Sequence, residues 1–200
     1  MELDFDAMAP GDRYKVLASL VTPRPIAWVT TTDREGNLNA APFSFFNCFG
    51  SNPPILAFAP GNKEAGLPKD TARNIRETRE FVVNIADEAL AEQMVATAAT
   101  LPHGESELEA TGLTPAASSV VSAPRIAEAP VAFECREWAT LEIGSNRLVV
   151  GVVHYAHIRD GLLDPDSLSL DHTKFIPVGR MSAPDCYCRT SELYKIPRPV

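Results

Sequence analysis

Two long β-branched runs, PVAFECREWATLEI over residues 130–143 and RLVVGVVHYAHI over 147–158, are separated only by Gly144-Ser145-Asn146. A connection this short cannot cross over to a parallel partner, so the runs must pair as an antiparallel hairpin. In the second arm Val150, Val152, His154, Ala156 and Ile158 take one face, and Val149, Val153, Tyr155 and His157 take the other. Both faces are fairly apolar. That pattern suits a barrel wall covered on its outside by a helix or a second subunit.

The first half supplies further strands. PIAWVTTT (25–32) is followed by the turn Asp33-Arg34-Glu35-Gly36-Asn37 and a return arm from Leu38, whose regularity is expected to stop at Pro42. ILAFA (55–59) reads as a buried strand and FVVNIA (81–86) as a strand. Helices are expected between them and the hairpin: one opened by Asp70-Thr71 and running to about Glu77, one from Asp87 to about Thr100, and a short one at Ser106–Thr111 ended by Gly112. Leu101-Pro102-His103-Gly104 separates the last two. Residues 113–128 read as irregular, and the Pro- and Arg-rich tail after Pro177 as a surface wrap. The order is strands, helices, strands, which predicts a mainly β fold with helical insertions: an antiparallel barrel in a single domain over 1–200, its core at about 20–180 and its tail at 181–200.

Composition excludes several functions. The net charge is −8, from 18 Lys+Arg against 26 Asp+Glu, which argues against nucleic-acid binding. There is no run long and apolar enough for a membrane span, and the acidic start MELDFDAMAP is no secretory signal, so a cytoplasmic location is expected. Cys48, Cys135, Cys186 and Cys188 lack zinc spacing; they read as reduced thiols, with a redox pair at Cys186/Cys188 as the alternative. His103, His154, His157 and His172 form no metal motif. No glycine-rich nucleotide loop follows a strand, and Ser44 sits in FSF without a nucleophile elbow. No catalytic side chain and no metal site is expected.

Two stretches carry chemistry. In KDTARN (69–74) a helix start offers free N–H groups and its positive dipole end, with Lys69, Thr71 and Arg73 close by, a set suited to a phosphate or to an ordinary capped helix. In NAAPFSFFN (39–47) an apolar wall carries amide and hydroxyl groups at its edge, as a planar aromatic ligand needs. Phe43 and Phe46 read as core, while Ser44, Phe45 and Asn47 are the ligand candidates.

The order Arg24-Pro-Ile-Ala-Trp-Val-Thr, Asp33, Gly36, Asn39, Ala-Pro-Phe-Ser-Phe-Phe46, Pro53-Pro54, Lys69-Asp-Thr-x-x-Asn74 and Phe81-Val-Val-Asn84 resembles the flavin reductase-like family. The tail elements Gly179-Arg180, Tyr187-x-Arg189-Thr190 and Pro197-Arg198-Pro199 resemble it too. The resemblance implies the FMN-binding split barrel, six-stranded and antiparallel, in a homodimer with FMN near the interface. It implies that Ala27, Trp28, Val29, Thr30 and the loop Asn39–Asn47 flank the isoalloxazine ring, and that Ser44 meets the ring's polar edge. Lys69, Thr71 and Asn74 would hold the phosphate. Trp28 has two readings, ring stacking or barrel core. Arg189 has three: phosphate, nicotinamide substrate, or a salt bridge between subunits. The implied activity is an NAD(P)H:flavin reductase with NAD(P)H and flavin as partners. The alternatives are a flavoredoxin-like carrier fed by a protein donor and a non-catalytic flavin-binding module.

Overall fold

The chain passes from one edge of its main sheet to the other through only two residues, Ser44 and Phe45. In the computed structural model, which describes every residue except 65, 103, 104, 198 and 200, helix α1 (Pro10–Leu20) precedes strands β1 (Ala27–Thr32), β2 (Leu38–Phe43), β3 (Phe46–Ser51) and β4 (Pro54–Phe58). A small hairpin, β5 (Asn62–Glu64) and β6 (Leu67–Pro68), leads to α2 (Asp70–Thr78) and β7 (Glu80–Ile85). A 3-10 turn, α3 (Ala91–Ala96), α4 (Glu107–Thr111) and the short pair β8 (Pro115–Ala116) and β9 (Arg125–Ile126) follow. The long hairpin β10 (Val131–Ile143) and β11 (Asn146–Ile158) comes next, then a tail pair, β12 (Val178–Arg180) and β13 (Tyr187–Arg189).

The main sheet has the order β2-β1-β7-β10-β11-β4-β3, all antiparallel. Because β2 and β3 stand at its two ends but are consecutive in sequence, the sheet must curl until its edges meet at Ser44-Phe45. This is the split barrel. β3 is a seventh strand beyond the six expected, and it extends one lip of the split.

The curl of the sheet divides the apolar residues into two sets. Inside lie Ala27, Val29, Phe43, Phe58, Phe81, Val83 and Val149, closed at one end by Ile75 of α2. Phe58 links Phe43 and Phe81, with ring centroids 5.2 and 5.5 Å away. Outside, the reverse face of β1 and β2 is covered by the 3-10 turn, α3, α4 and β9, which pack Trp28 and Ala40 against Leu90, Met94, Leu108 and Ile126. β1 is therefore buried on both faces. Each large side chain so enclosed contributes roughly 1.5–3 kcal/mol.

Three expectations change. The return arm does not end at Pro42, since Pro42 pairs with Trp28 and the ladder runs on to Phe43. The helix expected from Asp87 to Thr100 is a 3-10 turn over Glu88–Leu90 and one short helix ending at Ala96. Residues 113–128 are not wholly irregular, because β8 and β9 pair there. His103 and Gly104 of the expected helix break, and Arg198 of the tail motif, lie outside the described residues. No helix among the described residues is long and apolar enough to cross a membrane.

Candidate functional site

Residues 39–47 run between two recesses of opposite character. The first is a small polar recess of about 60 Å³, whose lining includes Asn39, Lys63, Lys69, Thr71 and Glu107. α2 begins here with Lys69 as its N-cap, in place of the Asp70 or Thr71 the sequence suggested, and no side chain caps the helix. Its first-turn N–H groups are left to the recess. Asn39 donates to Thr71 Oγ1 at 2.9 Å, so the Thr71 hydroxyl hydrogen remains to be donated elsewhere. Asp70 is already engaged by Lys63 and, at 3.0 Å, by Arg73.

Lys69 decides what the recess can hold. Its ammonium stands 5.4 Å from the centre of the Phe43 ring, and no carboxylate among the described residues pairs with it. Burial, assisted by nearby Lys63, holds its pKa below the ordinary lysine value. A half-buried cation with no carboxylate partner, beside helix amides that no side chain caps, is fitted to an anion. Opposing it, Glu107 accepts the Ala40 N–H at 2.9 Å, and burial pushes its pKa above the usual carboxylate value despite that bond.

The second recess is an apolar cleft of about 410 Å³ whose lining includes Leu17, Arg24, Ser44, Phe45, Asn47 and Phe49. Phe45 is partly exposed and tilts against Tyr14, with centroids 6.1 Å apart. Asn47 turns its Oδ1 to the Cys48 N–H at 2.8 Å. Ser44 Oγ lies 3.4 Å from Arg24 Nε.

The structure thus groups Asn39, Lys69 and Thr71 in one recess and Ser44, Phe45 and Asn47 in the other. The remaining candidates fall elsewhere. Ala27, Trp28, Val29 and Thr30 are fully buried, and β1 is hydrogen-bonded on both sides, so their side chains reach neither recess. Trp28 is a core residue whose indole N–H donates to Thr97 Oγ1 at 2.8 Å, which corrects the stacking reading. Thr30 donates to the Pro124 carbonyl at 2.6 Å. Asn74 does not line the Lys69 recess: its amide donates to Thr31 Oγ1 at 3.1 Å, and it lines a neighbouring recess that shares Asn39, Asp70 and Glu107 with the first. Arg189 lies at the surface, its Nε 2.7 Å from Glu88 Oε1 within the same chain, and lines neither recess.

Sequence reasoning passed over Glu107 and Arg24 as site residues. Glu107 gave no signal, since only the fold brings it to Ala40. Arg24 gave one, a charged residue set between Pro23 and Pro25 at the mouth of a buried strand.

With this geometry in place, a model of the flavin reductase like domain matches residues 19–177. The chain belongs to the flavin reductase-like family. Among solved structures, it is similar to nitrilotriacetate monooxygenase component B from Bacillus cereus, with 33% identity, a TM-score of 0.93 and 98% of each chain covered. It is also similar to the 2-nitrobenzoate 2-nitroreductase of Pseudomonas fluorescens, with 34% identity and a TM-score of 0.90, over 100% of this chain and 96% of the other. A Deinococcus radiodurans protein is 40% identical over 200 residues, covering 98% of this chain and 88% of the relative. Family and neighbours support a flavin-related oxidoreductase.

Proposed function

We propose that the protein binds FMN and acts as an NAD(P)H:flavin reductase, the bound flavin accepting a hydride from the nicotinamide and passing electrons to a second flavin or a protein acceptor. The observation that carries this reading is the pairing of the two recesses along residues 39–47, one polar and holding the Lys69 ammonium, the other apolar and wide enough for a ring system. A ligand with a flat ring at one end and a phosphate at the other matches that pair.

In this reading Lys69, the Thr71 hydroxyl and the first-turn amides of α2 hold the phosphate by charge-assisted hydrogen bonds. Phe45 and the apolar side chains around it cover the ring, and Ser44 and backbone amides at the strand break meet its polar edge. None of these residues needs to act as an acid, base or nucleophile, since redox chemistry is the cofactor's and the protein's part is to bind, orient and exclude water. A homodimer is part of the proposal. Leu20, Phe49, Trp138 and Ile143 are each more than half exposed, and a second copy would cover such surface.

Anaerobic mixing of the purified protein with FMN and NADH or NADPH tests the function. Rapid loss of the visible flavin band is expected. Bleaching only with a protein donor would favour a flavoredoxin-like carrier, binding without bleaching by either would favour a binding module, and no binding at micromolar FMN would sink the reading.

A further inference from the structure

We propose that Arg24 is the positioning residue of the apolar cleft, fastening α1, the C-terminal segment and Ser44 into one arrangement and setting a fixed positive charge on the cleft rim. The proposal rests on the flavin reading above. Arg24 is only 6% exposed. Its Nη1 donates to the carbonyls of Ala18 at 2.5 Å and Val21 at 2.8 Å, at the end of α1. Its Nη2 donates to the Met181 carbonyl at 2.9 Å, and its Nε lies 3.4 Å from Ser44 Oγ. Its backbone N–H and carbonyl both bond to Arg180, at 2.9 and 2.8 Å. One planar fork therefore joins segments up to 157 residues apart, a task for which the lysine point charge is poorly shaped.

Every one of these acceptors is neutral. Among the described residues no carboxylate pairs with Arg24, so its charge is offset by neutral partners: the Ser44 hydroxyl, the Phe45 ring and carbonyl dipoles, including those at the negative end of α1. The guanidinium carbon is 5.9 Å from the centre of the Phe45 ring, and Arg24 itself lines the cleft. A two-electron reduced flavin readily carries a negative charge that the oxidised ring lacks. A fixed cation at the rim therefore favours the reduced form, while the same fork keeps Ser44 and α1 in place for either form.

Arg24→Gln and Arg24→Lys, each checked for native circular dichroism, are titrated with FMN and with riboflavin, and the potential of the bound flavin is measured. Arg24→Gln is expected to weaken FMN and riboflavin equally, by about tenfold, because the phosphate recess is untouched. Its ratio of reduced to oxidised flavin affinity should fall by another factor of about ten, a drop of about 30 mV for a two-electron couple. Arg24→Lys should lose affinity similarly and keep a potential near wild type. Wild-type affinity and potential in a folded Arg24→Gln protein would overturn the proposal, as would wild-type affinity in Arg24→Lys if only that variant folds. If wild-type protein itself binds neither FMN nor riboflavin, the flavin reading falls and takes this one with it; a binding wild type beside unaffected variants sinks the role of Arg24 alone.

Discussion

Asn39 on β2 and Thr71 in the first turn of α2 are joined by a 2.9 Å hydrogen bond in which the amide donates and the hydroxyl accepts. The bond fixes the helix start against the sheet edge and leaves the Thr71 hydrogen free to point at a ligand. Thr71→Val and Lys69→Ala should each weaken FMN by ~1.5–3 kcal/mol and riboflavin, which lacks the phosphate, far less. Equal losses for both ligands would refute the phosphate placement. Because burial lowers the Lys69 pKa, the preference for FMN should fade on the alkaline side earlier than an ordinary lysine would allow.

Glu107 brings a carboxylate to the same recess. Its raised pKa means that the native state keeps a proton the unfolded chain has already released. The stability this group contributes is complete below the unfolded pKa and is lost as pH climbs through the folded value. Glu107→Gln keeps an acceptor for the Ala40 N–H and removes the titration. Urea midpoints across the acid-to-neutral range should therefore depend less on pH, with a gain at neutral pH. FMN binding should tighten by on the order of 1 kcal/mol, with riboflavin almost unchanged.

Trp28 separates core from cofactor contact. Trp28→Phe removes the indole donor to Thr97 and part of the packing on the outer face of β1, at a cost of about 1–3 kcal/mol. The visible spectrum and fluorescence quenching of bound flavin should not change. A shifted flavin band would restore Trp28 to the ring site.

Gly151, in the middle of β11, faces the barrel interior. A Cβ there would come within 2.8 Å of Phe81 Cε1 and closer still to Cζ. Gly151→Ala should destabilise the protein by about 1–3 kcal/mol through overpacking, measured as a lower denaturant midpoint. Adding Phe81→Leu should recover part of the loss, and no recovery would place the strain elsewhere.

The long hairpin was legible because β-branched runs and a short turn leave one pairing open; the observed strands differ from the expected ones by a residue. The start of α2 was legible within one residue from Lys69-Asp70-Thr71. α1 was missed: only Ala18 is buried on it, so its sequence carries little apolar periodicity, and Pro10 in its first turn was the available sign. β3 was missed because it is almost wholly exposed. The candidates on β1 came from the family resemblance; the structure buries their side chains, and a strand buried on both faces and a strand lining a ligand are equally apolar in sequence, so only the pairing order, which no local pattern encodes, tells them apart.

The two-residue passage at Ser44-Phe45 has a thermodynamic consequence. A ligand spanning both recesses would grip the two lips of the split on either side of the seam, so it would act as a clasp on the barrel. Its binding energy would then appear as resistance to unfolding, about 2.7 kcal/mol when free ligand stands at 100 times its Kd. Loss of cofactor and opening of the barrel would become one cooperative event, with β3 and β2, the strands held from one side only, the first to part.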